Sequence, residues 1–251
     1  MNATVAVNSP WAFEFRLFGP LHVVTVAALL GAMAAAIMLG RRWHGTRRER
    51  LLRHAWIGAT LLWQTIAVIW YLWPTNFDLF ESLPLHMCDL AAWIAPFALL
   101  TQKRLLRALL FFWGIGLSTQ AFFTPVVDGG INTFAFWLFW VGHTQIVGSA
   151  VYDLGVLGYR PSWRDYFGVT LVNLACLALI LPFDLWTGTN YWYVGNMRPE
   201  HPTLVDRLGP WPWRVVWMVL IAQAVLALLT SACAAAARSA QERPASIHST
   251  Q

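Results

Sequence analysis

The sequence predicts an all-α integral membrane protein, a polytopic bundle of seven transmembrane helices, and three observations predict it. Hydrophobic residues make up 58% of the 251 and charged residues only 12%, against about 45–50% and about 25% in soluble domains. Seven apolar runs are each long enough to cross a bilayer as a helix, and none alternates as the wall of a membrane barrel does. The basic residues lie between those runs, so the net charge of +5 is a matter of membrane topology and no nucleic-acid partner is expected. Three unevenly spaced cysteines make no disulfide framework and no CxxC zinc pattern.

The N-terminal segment holds Glu14 and Arg16 and no basic stretch ahead of an apolar core, so a cleavable signal peptide is not expected. Spans follow at about 20–40, 55–73, 84–101, 107–123, 134–155, 166–185 and 212–236. The segments after the first, third, fifth and seventh spans carry thirteen of the seventeen bases, among them Arg41, Arg42, Arg47, Arg48, Arg50, Arg53, Lys103, Arg104, Arg107, Arg160 and Arg164. The positive-inside rule makes those segments cytoplasmic, the N-terminus external and the C-terminus internal, in a multi-pass protein of the cell membrane. Residues 1–237 form the transmembrane domain and 238–251 a disordered cytoplasmic tail. Ala27, Gly31 and Ala35 in the first span, and Gly114 and Ser118 in the fourth, recur at the spacing that lets helices approach closely in lipid. Trp73, Phe77, Phe80, Trp186, Tyr191, Trp192, Tyr193, Trp211 and Trp213 fall near outer span ends, where amphipathic rings anchor at the headgroups. The connection at about 186–211 is long for a bundle and reads as a packed cap.

Ionisable residues within spans cost about 2.5–3.5 kcal/mol each at the centre, so each needs a reason. The dense ones are His86, Cys88 and Asp89 in the third span, Ser118, Thr119 and Gln120 in the fourth, and His143, Thr144 and Gln145 in the fifth. Gln64, Asn173 and Gln223 are isolated. In SLPLHMCDL, Pro84 suits a first helical turn and Ser82 a cap, which puts Cys88 past the first turn and about 6 Å below the outer edge. His86 and Asp89 then share a helix face while Cys88 points elsewhere, so a base for the thiol must come from another helix. His143 is the one other histidine deep in a span, at about 9–14 Å. Gln120 falls near the depth of Cys88, where an amide can donate to an oxyanion. Cys88, His143 and Gln120 thus make a possible acyl-transfer site, with His86 and Asp89 beside it. The competing structural readings are a histidine that ties helices together and a cysteine that fills space. Cys176 and Cys233 read as packing; His22, His44, His54, His201 and His248 read as solvated. A metal at His86, Asp89 and His143 lacks a dense ligand motif, so neither a metal nor a cofactor is expected.

The strings LPLHMCDLAAW at 83–93, QAFFTP at 120–125, WVGHTQI around His143 and NYWYVGNMRPEHPTLVDRLGPWPW at 190–213 together resemble the YwaF-like family of bacterial integral membrane proteins. That family looks related to vertebrate transmembrane protein 164. The resemblance covers roughly residues 80–217 and implies about seven transmembrane helices. It further implies a lipid acyltransferase that moves a fatty acyl chain through a cysteine assisted by a histidine, matching Cys88 and His143 here. His86, Asp89, Gln120, Asn190 and Asp206 fit the bacterial motif without an assigned role.

The sequence therefore leads to an intramembrane lipid acyltransferase or acyl hydrolase near the outer leaflet, with membrane lipids as partners and an acyl chain as substrate. Its rivals are a transporter, channel or sensor with a polar path through His86, Asp89, Gln120 and His143, and a structural protein whose polar cluster locks helices together.

Overall fold

The computed structural model describes residues 11–127, 129–195 and 204–241. Among the described residues the α-helices are, in order, α1 (Pro20–Arg42), α2 (Arg47–Leu72), α3 (Met87–Thr101), α4 (Arg104–Phe111), α5 (Phe134–Gly155), α6 (Trp163–Thr187) and α7 (Trp213–Gln241). No strand occurs among the described residues. α4 continues through a π-helical turn, Phe112–Leu117, and a 3-10 turn, Thr119–Phe122. Six stretches are long and apolar enough to cross a membrane: α1, α2, Arg104–Phe122, α5, α6 and Trp213–Ser239. The chain is a multi-pass membrane protein, with six such helices and one shorter apolar one among the described residues. α3, expected from residue 84, has 15 residues, or about 22 Å against the ~30 Å of a hydrocarbon core.

Local chemistry sets most helix starts. Pro20 occupies the first turn of α1, where its missing N–H costs nothing. Thr46 and Thr133 accept from Glu49 and Phe136 N–H, and Ser162 and Asp165 cap α6 reciprocally, Ser162 N–H donating to Asp165 Oδ2 at 2.8 Å. α7 runs on to Gln241, beyond the expected start of the tail at 238; residues 242–251 lie outside the described ones.

Half or more of the α4–3-10 stretch and of α5 is buried, 56% and 50%, against 11–17% for the other four long helices. These two are therefore the axis of the bundle. Gly114 makes their approach possible, since a Cβ there would stand 2.8 Å from Ala150 Cβ. In the first span the expected seam is absent: Ala27, Gly31 and Ala35 are exposed, and a Cβ on Gly31 would meet nothing within 4 Å.

The basic residues also join helices. Arg41 Nε donates to Gly155 O at 2.9 Å and Arg53 Nη1 to Leu99 O at 2.9 Å. Arg107 pairs with both oxygens of the buried Asp153, and Arg104 with Asp165. Six helix ends are stitched at this basic end of the bundle by charge-assisted bonds. Asn173 and Gln223 likewise join helices, accepting from Trp113 Nε1 and Thr170 Oγ1, each at 2.8 Å.

Candidate active site

α3 starts three residues later than Pro84 suggests because residues far along the chain hold Leu83–Leu85 out of it. Tyr191 Oη accepts from Leu83 N–H at 3.1 Å and donates to Leu79 O at 2.6 Å, and Trp192 Nε1 donates to Leu85 O at 2.7 Å. Ser82, expected as the cap, instead accepts from Asp78 N–H. The cap of α3 is His86, and Asp89 Oδ2 accepts the His86 backbone N–H at 3.1 Å. Asp89 therefore fixes the main chain of His86 rather than pairing with its ring. Cys88 becomes the second residue of the helix, inside the first turn and not past it, where the partial positive charge of the helix end acts directly.

The aromatic turn that causes this shift also walls the site. Tyr191 and Trp192 are buried, at 0% and 8% exposure, so they are core residues and not interface anchors. Trp186, Trp73 and Trp213, at 84%, 58% and 63%, do fit the anchor role. The His86 ring centroid lies 4.8 Å from that of Tyr191 and 6.3 Å from that of Tyr193. Trp192 and Tyr193 have φ of 57° and 61°, two consecutive left-handed residues without glycine, a conformation that costs of order 1–3 kcal/mol each and needs surrounding structure to hold it. Asp184 holds it from below, its Oδ1 accepting from Thr189 Oγ1 at 2.6 Å and from Tyr191 N–H at 3.0 Å. Asn190 Oδ1 closes the turn by accepting from Gly195 N–H at 3.1 Å. Burial first, and then the neighbouring Cys88, push the Tyr193 phenol up to about 12; burial does the same to Tyr191. Both phenols stay neutral and keep their protons as hydrogen-bond donors at any physiological pH.

Tyr191→Phe is expected to leave Leu83 N–H and Leu79 O without their shared partner, at a cost of about 1–3 kcal/mol. Thermal unfolding in detergent micelles measures it, and an unchanged midpoint would count against the role given to this hydroxyl.

His143 lies on α5, half-buried. Its Nδ1 is 2.8 Å from Phe139 O, and a carbonyl only accepts, so Nδ1 carries the proton. A neutral ring then leaves the Nε2 lone pair bare. On α3, Ala91 and Ala92 share a buried cluster with Ile146 of α5, and Ala95, Ala98 and Leu99 share the next with Ala150 and Tyr152. The two helices thus run side by side in the same direction. Cys88 stands on the stripe of Ala92, Ala95 and Leu99, and His143 on that of Val147 and Ala150. No hydrogen bond joins Cys88 to His143 among the described residues.

Gln120 is in the 3-10 turn after the π segment, exposed, and apart from the buried side of that turn formed by Ala121 and Phe122. Thr144 and Gln145 are buried, and Thr144 Oγ1 and Gln145 Oε1 have no hydrogen-bond partner among the described residues. His22, expected in solvent, is 3% exposed; its Nδ1 accepts from Phe18 N–H at 3.0 Å, so Nε2 donates to Phe122 O at 3.1 Å, tying the start of α1 to the 3-10 turn. Cys176 and Cys233 pack against the main core cluster, as expected. Among the described residues no group of three or more His, Cys, Asp or Glu is placed to hold a metal.

Tyr191, Trp192, Tyr193 and Asp184 are the site residues that sequence reasoning missed as such. The available signal was polar-tipped aromatics packed into an Asn- and Gly-bounded turn, a pattern that also suits interface anchors. The model of the TMEM164 family matches residues 17–230. No curated protein and no solved structure matches the chain.

Proposed function

The chain belongs to the TMEM164 family, and on that premise we propose that it is an intramembrane lipid acyltransferase or acyl hydrolase in which Cys88 is the nucleophile and His143 the base. We assign it to the YwaF-like bacterial branch on the strings LPLHMCDLAAW and NYWYVGNMRPEHP. In this reading α3 is a seventh, short crossing, the N-terminus is external, the C-terminus is cytoplasmic, and the site works at the outer leaflet of the cell membrane.

The observation that carries the proposal is the tautomer of His143. With Nδ1–H held by Phe139 O, the ring has its basic nitrogen free, as a general base for a thiol requires. The register of the helices supports it. Ala91 and Ile146, which share one buried cluster, and Ala95 and Ala150, which share another, are each 55 residues apart in sequence, as are Cys88 and His143. That shared spacing supports a reading in which the two side chains lie at one level.

In the reaction the Cys88 proton passes to His143 Nε2 and the thiolate attacks the ester carbonyl of a phospholipid. The tetrahedral intermediate collapses with cleavage of the carbon–oxygen bond, and the leaving lysolipid oxygen takes the proton from His143. A lipid hydroxyl, or water, then attacks the thioester, gives its proton to His143, and restores the thiol as the proton returns. The oxyanion is steadied by the N–H groups of Met87 and Cys88, for which no backbone acceptor occurs among the described residues, in preference to the exposed Gln120.

The test is a hydroxylamine-labile acyl adduct on Cys88 after incubation of the purified protein with phospholipid vesicles, mapped by mass spectrometry. Absence of any such adduct overturns the proposal. Gln120→Ala is expected to change the rate of adduct formation by less than about threefold, whereas loss of a true oxyanion donor costs about 10²–10³. A rate ratio in that higher range returns Gln120 to the site.

A further inference from the structure

A crevice of about 130 Å³ lies in the basic half of the bundle, apart from Cys88 and His143. Its back wall is Gly148 of α5: a Cβ there would meet Met33 Cγ of α1 at 3.6 Å and Trp56 Cζ2 of α2 at 3.7 Å. Met33 of α1 and Trp56 of α2 thus flank the glycine at ordinary contact distance. The crevice opens sideways between them, where Ala32 is exposed and Leu52 and Trp56 are half-buried. Since both helices are long enough to span the membrane, the medium at that opening is hydrocarbon. From Thr144 at its far end to Tyr152 at the basic end it follows eight residues of α5, about 12 Å.

The polar groups at the basic end are largely engaged with one another. Tyr152 Oη donates to Glu49 Oε1 at 3.1 Å, Arg53 Nε donates to the same oxygen at 3.1 Å, and Arg53 Nη1 donates to Leu99 O. Such a floor offers little to a polar solute. It still presents the edge of a guanidinium, 15% exposed, with the exposed Arg41 nearby on the end of α1, bonded to Gly155 O. Arg53 is paired with Glu49, whereas Arg41 is bonded to a carbonyl, so an apolar slot about 12 Å long, open to lipid and ending near Arg41, matches an amphiphile with one chain and a negative head.

We propose that this crevice holds one acyl chain of an anionic phospholipid from the leaflet at the basic end, with its phosphate at Arg41. The driving force is not transfer from water, because the chain comes from lipid. It is the recovery of dispersion contacts along a wall that otherwise lacks neighbours, and selection comes from the charge. One basic residue near the surface favours an anionic over a zwitterionic headgroup by about fivefold. The proposal is independent of the acyl chemistry at Cys88.

The protein is reconstituted in phosphatidylcholine vesicles doped with a photoactivatable phosphatidylglycerol, or with a phosphatidylcholine bearing the same diazirine chain, and adducts are mapped by mass spectrometry. Peptides holding Met33, Trp56 and Gly148 are expected to carry about fivefold more adduct from the anionic probe. Leu171 and Leu179 on the exposed face of α6 are expected to show a smaller preference. Gly148→Leu fills the slot and is expected to remove the crevice adducts while leaving those on α6. Arg41→Gln, outside the Glu49 and Tyr152 network, is expected to reduce the anionic preference without removing the adducts. Equal labelling by the two probes in the native protein, or crevice labelling that survives Gly148→Leu in a variant with unchanged α6 adducts, overturns the proposal.

Discussion

Cys88→Ala is expected to abolish the acyl adduct and to lower phospholipid acyl transfer or hydrolysis at least about 10³-fold, the scale on which loss of a covalent nucleophile falls. The change removes one sulfur from the first turn of α3, where the cap geometry rests on the His86 backbone and Asp89 and does not involve the thiol. Folding should therefore survive, and thermal unfolding in micelles checks that it does. His143→Ala is expected to lose a comparable amount, and the double variant no more than either alone, because a nucleophile and its base act as a unit. His143→Ala alone also frees Phe139 O from its ring donor, so His143→Gln is the cleaner comparison. Cys88→Ala that remodels lipid at the native rate removes the mechanism altogether. If instead His143→Ala abolishes proton or solute flux in proteoliposomes while Cys88→Ala leaves it untouched, a transport role replaces the enzymatic one.

Arg214→Met is expected to be the most destabilising single change away from the thiol, at about 3–5 kcal/mol, the range for removing one partner of a buried pair. Arg214 is fully buried, donates through Nη1 to Asp206 Oδ1 at 2.9 Å and through Nη2 to Gly195 O at 2.5 Å. It thereby ties the start of α7 to the aromatic turn. Methionine keeps most of the volume and none of the donors, so Asp206, only 13% exposed, and Gly195 O both lose the guanidinium. The expected readout is a large fall in the thermal midpoint together with loss of acyl transfer, since the turn that places Tyr191 against His86 loosens with it. Gly195 has no room to adapt: a Cβ there would run into Thr189 O and Asp184 Cβ. A variant with unchanged midpoint would show that Arg214 is dispensable to the cap.

The same region explains where sequence reasoning stopped. Pro84 and Ser82 form a sound local start signal, but two side chains more than 100 residues away, Tyr191 and Trp192, capture Leu83 and Leu85 and delay the helix. The cysteine consequently gains the helix end that local spacing denied it. The depth expected of Gln120 assumes one regular helix, but the stretch turns π and then 3-10, and Gln120 is exposed. Tyr191 and Trp186 have the same sequence context, an aromatic near a span end, yet one is fully buried and the other 84% exposed. Only the packing of the turn distinguishes them.

What the sequence determined by itself was helical class, membrane residence, the positions of the long apolar helices, and the grouping of basic residues at one end. These are sums over neighbouring residues: apolar length against bilayer thickness and charge against the cost of entering lipid. The tertiary structure decided that α3 begins at Met87, that the His143 ring carries its proton on Nδ1, that His22 and Tyr191 are core, and that Gln120 is not. Each of those depends on which distant carbonyl, amide or ring meets a side chain, and a polar atom out of reach of water takes whatever partner the packing brings to it.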